Sequence, residues 1–167
     1  MSGPGSKGPG RTIPGLPDPV LTPDEINAFL TSSFSKEIGA DDFRVRSVAR
    51  GVIEIAFDPR PEHLRPGDTV AGPVLFAITD VAAYVAIIAH SGTHNLQAVT
   101  TSAQTNFLVR PKLGRLACEG RLMKLGRRLA VVDCVIRDED ERAVVSASLT
   151  YALPPSPASP SGGASQS

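Results

Sequence analysis

Apolar positions are sparse at both ends of the chain and dense between about residues 21 and 153, where their spacing changes several times. Ile26, Phe29 and Leu30 have the three- and four-residue interval of one helix face. Ahead of them, Thr22-Pro23-Asp24-Glu25 offers an N-cap, a proline for the first turn and acids at the positive end of the dipole. A short helix through about Ser33 is predicted. Residues 43 to 49 and 52 to 58 alternate, are rich in β-branched side chains and are joined through Arg50-Gly51, which predicts a hairpin. Pro59, Pro61, Pro66 and Gly67 then interrupt any regular element.

The longest apolar run goes from Val74 to Ala89, opens on Ala71-Gly72-Pro73 and closes on His90-Ser91-Gly92. It predicts a helix that is apolar nearly all round. Four runs of strand composition follow, over residues 97 to 109, 115 to 124, 129 to 137 and 143 to 153. Their connections, Pro111 to Gly114, Leu125-Gly126-Arg127 and Asp138 to Glu141, are short and turn-like, so all four strands are expected to be sequential antiparallel neighbours. A helix apolar on every side must be enclosed, and one curved sheet can wrap it. The expected fold class is therefore α+β, a curved antiparallel sheet wrapped around one long central helix, with a second copy covering what the sheet leaves open. Residues 1–20 and 154–167 are rich in Gly, Pro and Ser and bury too little to offset their ordering entropy, so one domain over residues 21–153 is expected between two disordered tails.

Composition narrows the function classes. With 167 residues, 41% of them hydrophobic, the chain can fill one core. Seventeen basic residues balance seventeen acidic ones without a Lys/Arg block, which argues against nucleic acid as a partner. Cys118 and Cys134 fall in strand-like segments of a chain without a secretory signal and read as reduced core thiols. The run from Val74 to Ala89, interrupted by Asp80, is shorter than the roughly 20 apolar residues of a membrane span. A cytoplasmic protein with no membrane partner is expected. His63, His90 and His94 lack metal-ligand spacing, so no metal is assigned, and no Ser-His-Asp, Cys-His or phosphate-loop signature is present.

The chemistry concentrates on Asp80, an acid in the middle of the apolar helix. Burying an ionised carboxylate costs several kcal/mol unless it is paired, protonated or engaged by a ligand. Gly72-Pro73 leaves a helix N-terminus where Gly72, or Val74 just inside, can offer an N–H to a developing oxyanion. Asp80 lies seven residues beyond Pro73, about 10 Å along the axis, so one carbonyl meets both ends only if two antiparallel copies of the helix meet. Strict alternation in the following strand places Val99, Thr101, Ala103, Thr105 and Phe107 on the helix side, bringing the Thr101 hydroxyl toward Asp80. Arg110, Lys112 and the Lys124 to Arg128 turn can form a cationic rim for an anionic cofactor arm.

These pieces, in order, resemble the acyl-CoA thioesterases of the phenylacetate-degradation (PaaI-like) type, which have the hot-dog fold. The resemblance rests on Arg65-Pro-Gly-Asp-Thr-Val-Ala-Gly-Pro73, Ala77-Ile-Thr-Asp80, Val99-Thr-Thr101, Asn106-Phe-Leu-Val-Arg-Pro111, Lys124-Leu-Gly-Arg-Arg-Leu-Ala130 and Ala147-Ser-Leu-Thr-Tyr-Ala152. It implies hydrolysis of an acyl-CoA to a free acid and CoA, with the coenzyme A thioester as substrate and no cofactor. Gly72 would be the donor to the thioester oxygen, Asp80 the general base or nucleophile, and Thr101 its hydroxyl partner. Lys124, Leu125, Gly126 and Arg127 would contact CoA, and a homo-oligomer, a dimer or a dimer of dimers, would share the sites. The family's usual His-Gly-Gly is here Ala71-Gly72-Pro73, and Arg65 stands near the place of its frequent Asn. Two rival readings follow, a non-catalytic acyl-CoA-binding module and an enoyl-CoA hydratase or dehydratase on the same fold.

Overall fold

In the computed structural model, which describes residues 13–33 and 42–156, the first predicted helix is α1 (Pro23–Ser33). A reciprocal capping box starts it: the Glu25 N–H donates to Thr22 Oγ1 (3.3 Å) and the Thr22 N–H to Glu25 Oε2 (2.8 Å). Asn27 then ties α1 to the sheet, its side-chain amide donating to the Val45 carbonyl at 3.0 Å and accepting from the Val45 N–H at 2.8 Å. The predicted hairpin is β1 (Phe43–Ala49) and β2 (Val52–Phe57), turned at Gly51, whose φ of 72° favours glycine. The proline-broken stretch still forms a two-stranded ribbon, β3 (Leu64–Arg65) and β4 (Thr69–Val70).

The apolar run is α2 (Gly72–Ser91), buried continuously from Val81 to His90 and ended by Gly92, whose N–H donates to the Ile88 carbonyl at 2.8 Å. Length and composition alone would let this helix cross a membrane, yet 67% of its most apolar window is buried within the protein. His90 is buried among apolar groups because both ring nitrogens are engaged. Nε2 accepts from the Gly51 N–H at 2.8 Å, so Nδ1 carries the proton and donates to the Ala86 carbonyl at 2.8 Å. The helix end is thereby bound to the hairpin turn.

Four strands complete the sheet: β5 (Val99–Phe107), β6 (Leu116–Leu125), β7 (Leu129–Arg137) and β8 (Ala143–Ala152). The six-stranded order is β1-β2-β6-β7-β8-β5, antiparallel throughout, and the sheet curves around α2 as the alternation predicted. One expectation fails, because β5 does not neighbour β6. It lies at the far edge, paired only with β8, while β6 pairs with β2. The connecting segment is held elsewhere, with the Leu108 N–H on the Val144 carbonyl (2.8 Å), the Pro111 carbonyl accepting from Val70 N–H (2.9 Å) and Lys112 bridged to Thr69. It therefore crosses the end of the sheet instead of turning a hairpin.

The expected N-terminal tail is also too long. Leu16 is 5% exposed, its carbonyl accepts from Arg50 Nε at 2.9 Å, and the Val20 N–H donates to the Ala89 carbonyl at 2.7 Å, so residues 13–20 pack on the domain. The rest of the expected tails, residues 1–12 and 157–167, lies outside the described residues.

Candidate active site

Asp80 lies where α2 faces β5 and β8, lining a cavity of about 620 Å³ whose other walls include Phe29, Val81, Tyr84, Leu96 and Val99. Two hydroxyls hold it. Thr100 Oγ1 donates to Asp80 Oδ1 at 2.6 Å, and the Tyr151 phenol reaches the same oxygen at 2.6 Å and the Asp80 main-chain carbonyl at 2.8 Å. Among the described residues, none donates to Oδ2. Burial first, and then the neighbouring Asp80 charge, push the Tyr151 phenol far above its ordinary range, so it stays a donor at any working pH. A carboxylate set in an apolar cavity, held by one oxygen and free at the other, can take a proton from water or attack an electrophilic carbon.

Thr101 is not the partner of Asp80. Its hydroxyl donates to the Thr150 carbonyl at 3.1 Å, because a β-bulge between Thr100 and Ser102 interrupts the alternation of β5. Beyond the bulge, Ala103, Thr105 and Phe107 oppose the buried Leu149, Ala147 and Val145 of β8, the side expected for them. Before it, Thr100 opposes Tyr151 and takes the inward place that strict alternation gave to Thr101. Tyr151 was legible only as part of a strand pattern, since nothing in one sequence says that an inward tyrosine on β8 meets a particular turn of α2.

At the other end of the helix, Ala71 is the N-cap: its carbonyl accepts from the Val74 N–H (3.0 Å) and the Leu75 N–H (3.1 Å), and its own N–H donates to the His63 carbonyl (2.9 Å). Val74 is thus engaged and Pro73 has no N–H, while Gly72, as first helical residue, has no intrahelical acceptor. Gly72 is the donor this terminus can offer. It lines a second cavity of about 370 Å³ with Arg65, Leu75, Phe107 and Arg110. Eight residues of helix, about 12 Å, separate it from Asp80, and within one protomer the two lie in different cavities.

Lys124, Gly126, Arg127 and Arg128 line a third cavity of about 340 Å³ at the β6–β7 turn, closed by the Gly126 N–H on the Leu129 carbonyl at 2.9 Å, while Leu125 packs against the core. Ala130, just past this turn, is the cross-strand partner of Tyr151, so the cationic turn stands at the same end of the sheet as Asp80. Among the described residues, no group of three or more His, Cys, Asp or Glu is placed to hold a metal. Both thiols are free and buried, with Cys134 Sγ 3.5 Å from the Thr79 carbonyl.

The profile of the thioesterase superfamily matches residues 67–145. A protein from Silicibacter sp. TM1040, assigned to the thioesterases, is 36% identical over 82% of this chain and 94% of its own, with a TM-score of 0.72. Thioesterase superfamily member 2 of zebra fish shares the fold at 16% identity, with a TM-score of 0.72 over 80% of this chain and 99% of its own. So does a hypothetical thioesterase of Streptococcus pneumoniae TIGR4 crystallised with coenzyme A, at 22% identity and a TM-score of 0.63 over 69% of this chain and 88% of its own. Among curated proteins, none matches the chain.

Proposed function

The chain belongs to the thioesterase superfamily, and from that premise we propose that it is a cytoplasmic acyl-CoA thioesterase of the PaaI-like type working as a homodimer with shared sites. The observation that carries the reading is the Asp80 carboxylate on the wall of an apolar cavity, fixed at Oδ1 by two hydroxyls and, among the described residues, with no donor at Oδ2. Oδ2 takes the proton of a water whose oxygen bonds to the thioester carbon, or itself forms that bond. The resulting oxyanion accepts from the Gly72 N–H of the partner subunit, then the C–S bond breaks and CoA leaves as the thiolate. On the water route the proton held at Oδ2 passes to the thiolate and the free acid departs; on the direct route the acyl group stays on Oδ2 as an anhydride, the thiolate takes a proton from water, and a second water cleaves the anhydride to the free acid and restores the carboxylate. Lys124 and Arg127 hold the anionic arm of CoA, and Arg65 and Ala71 border the thioester from the partner side.

Pairing is supported by what the protomer leaves open. β5 is an edge strand whose Val99 and Phe107 are each more than half exposed, as is Leu108 just beyond it, and Phe76 of α2 is 36% exposed. Apolar side chains along an unpaired edge favour a second copy. A two-fold axis there sets the two α2 helices antiparallel and brings Gly72 of one toward Asp80 of the other. A hydratase would need an acid–histidine pair, and among the described residues no histidine lines the Asp80 cavity.

The test is release of CoA thiol from short, medium, long and aromatic acyl-CoAs by the wild type and by Asp80→Ala. Turnover by the wild type, reduced about a thousandfold in the variant with fold and assembly intact, is expected. Binding of acyl-CoA without turnover by the wild type would convert the reading to a binding module. Mixing Asp80→Ala with Gly72→Pro chains tests sharing, since one mixed site is intact and recovers about a quarter of wild-type activity at random pairing. No recovery would place both groups in one subunit's site.

A further inference from the structure

We propose that Tyr151 is a positioning residue for Asp80, orienting its carboxylate so that Oδ2 alone meets the thioester; this deepens the thioesterase reading and rests on it. The torsion that turns an Asp carboxylate is soft and nearly two-fold, so the side chain by itself does not distinguish its oxygens. Here the phenol spans Oδ1 (2.6 Å) and the main-chain carbonyl of the same residue (2.8 Å), which ties the carboxylate to the backbone of its own helix turn.

The support is rigid. Tyr151 is 2% exposed and sits on β8, an interior strand flanked by β7 and β5, where Ala130 and Thr100 are its cross-strand partners. Thr100, the other donor to Oδ1, belongs to the edge strand. No Lys, Arg or His lines the cavity, so hydroxyls are the only donors the carboxylate has there among the described residues. Tyr84 lines the same cavity, and its phenol is engaged at the Leu96 carbonyl (3.0 Å), while Cys134 faces the preceding helical residue. The strong upward push on the Tyr151 phenol adds that its proton remains in place while Asp80 works.

Tyr151→Phe keeps the ring and removes only the hydroxyl. In this protein we expect kcat for acyl-CoA hydrolysis to fall about tenfold or more with KM within about twofold, because a donor that fixes the working carboxylate is lost. A phenylalanine that only fills space would leave kcat unchanged, and this result overturns the proposal. If the wild type releases no CoA, the thioesterase reading fails separately, and the carboxyl ¹³C signal of Asp80, recorded without substrate at one fixed pH, still decides. It should move in Tyr151→Phe as the hydrogen bond is lost, and an unmoved signal refutes the contact's role.

Discussion

Replacing Thr100 by valine deletes one hydroxyl from the Asp80 cluster and little else, since valine keeps the branched shape and the strand preference. The bond removed is 2.6 Å long and ends on the candidate catalytic carboxylate. Hydrogen bonds to charged groups contribute about 1.5–3 kcal/mol. Two features place Thr100 at the low end: it lies on an exposed edge strand, and Tyr151 holds the same oxygen. At about 1.5 kcal/mol, and with 1.36 kcal/mol per factor of ten, kcat should fall roughly tenfold while KM changes little. Thr101→Val is the matched control, for its hydroxyl donates at 3.1 Å to the Thr150 carbonyl and not to Asp80; its kcat should remain within about twofold, below the effect of a typical exposed contact. The assay is steady-state CoA release on the best acyl-CoA of the panel, with thermal scans of each variant. Equal losses in both variants, or a larger loss in Thr101→Val, would refute the register argued from the bulge.

Three further outcomes are expected. Lys124→Glu with Arg127→Glu should raise KM for acyl-CoA about tenfold or more and leave kcat within about twofold, an effect that shrinks with added salt; a thioester truncated to N-acetylcysteamine should respond to neither change. His90→Phe leaves the buried Gly51 N–H without its acceptor and should lower unfolding free energy in urea by about 2 kcal/mol, read as a lower midpoint at unchanged slope. Tyr84 and Tyr151 are the two tyrosines of the chain, and burial moves both phenols above their ordinary value of about 10 in the native state. Above pH 10 the unfolded chain releases phenolic protons that the native one keeps, so stability is intact below that pH and falls as pH rises beyond it. Absorbance at 295 nm should therefore rise only with unfolding, and a tyrosinate step in the native protein near pH 10 would contradict the burial of both rings.

What could be read from the residues was whatever depends on local periodicity. α2, the β1–β2 hairpin, the N-cap at Thr22 and the three strands β6, β7 and β8 follow from spacing, capping and turn chemistry, and their bounds agree to within a few residues. The errors share a cause, which is that pairing is non-local. Residues 97 to 109 read as a strand whether it neighbours β6 or β8; only the anchoring of Leu108 to Val144 and of Pro111 to Val70 decides between them. A one-residue bulge exchanges every inward position on one side of it, and nothing in Val99-Thr100-Thr101-Ser102 distinguishes which threonine turns in. Leu16 was hidden for the opposite reason, as a single apolar residue inside a Gly/Pro-rich segment whose composition argues for disorder.

The split between Asp80 and Gly72 links these corrections to the chemistry. With β5 beside β6, the strand would take the place beside β6 that β2 holds. At the far edge it runs back along α2, from Thr100 at Asp80 to Phe107, whose ring lies within 3.8 Å of where a Cβ on Gly72 would be. One edge strand, paired on one side only, therefore borders both the acid and the helix N-terminus, and its residues are exposed along nearly its whole length, with only Thr105 half-buried and its hydroxyl unpartnered. An edge of this kind is a liability for a lone protomer. Like α2 itself, it touches both halves of the candidate site. Pairing through β5 would remove the first problem and, by the same two-fold operation, bring the separated acid and donor together. If the chain pairs through β5, dimerisation and catalysis are one structural requirement, and a substitution that blocks that pairing should abolish CoA release even where Asp80, Thr100 and Tyr151 remain in place.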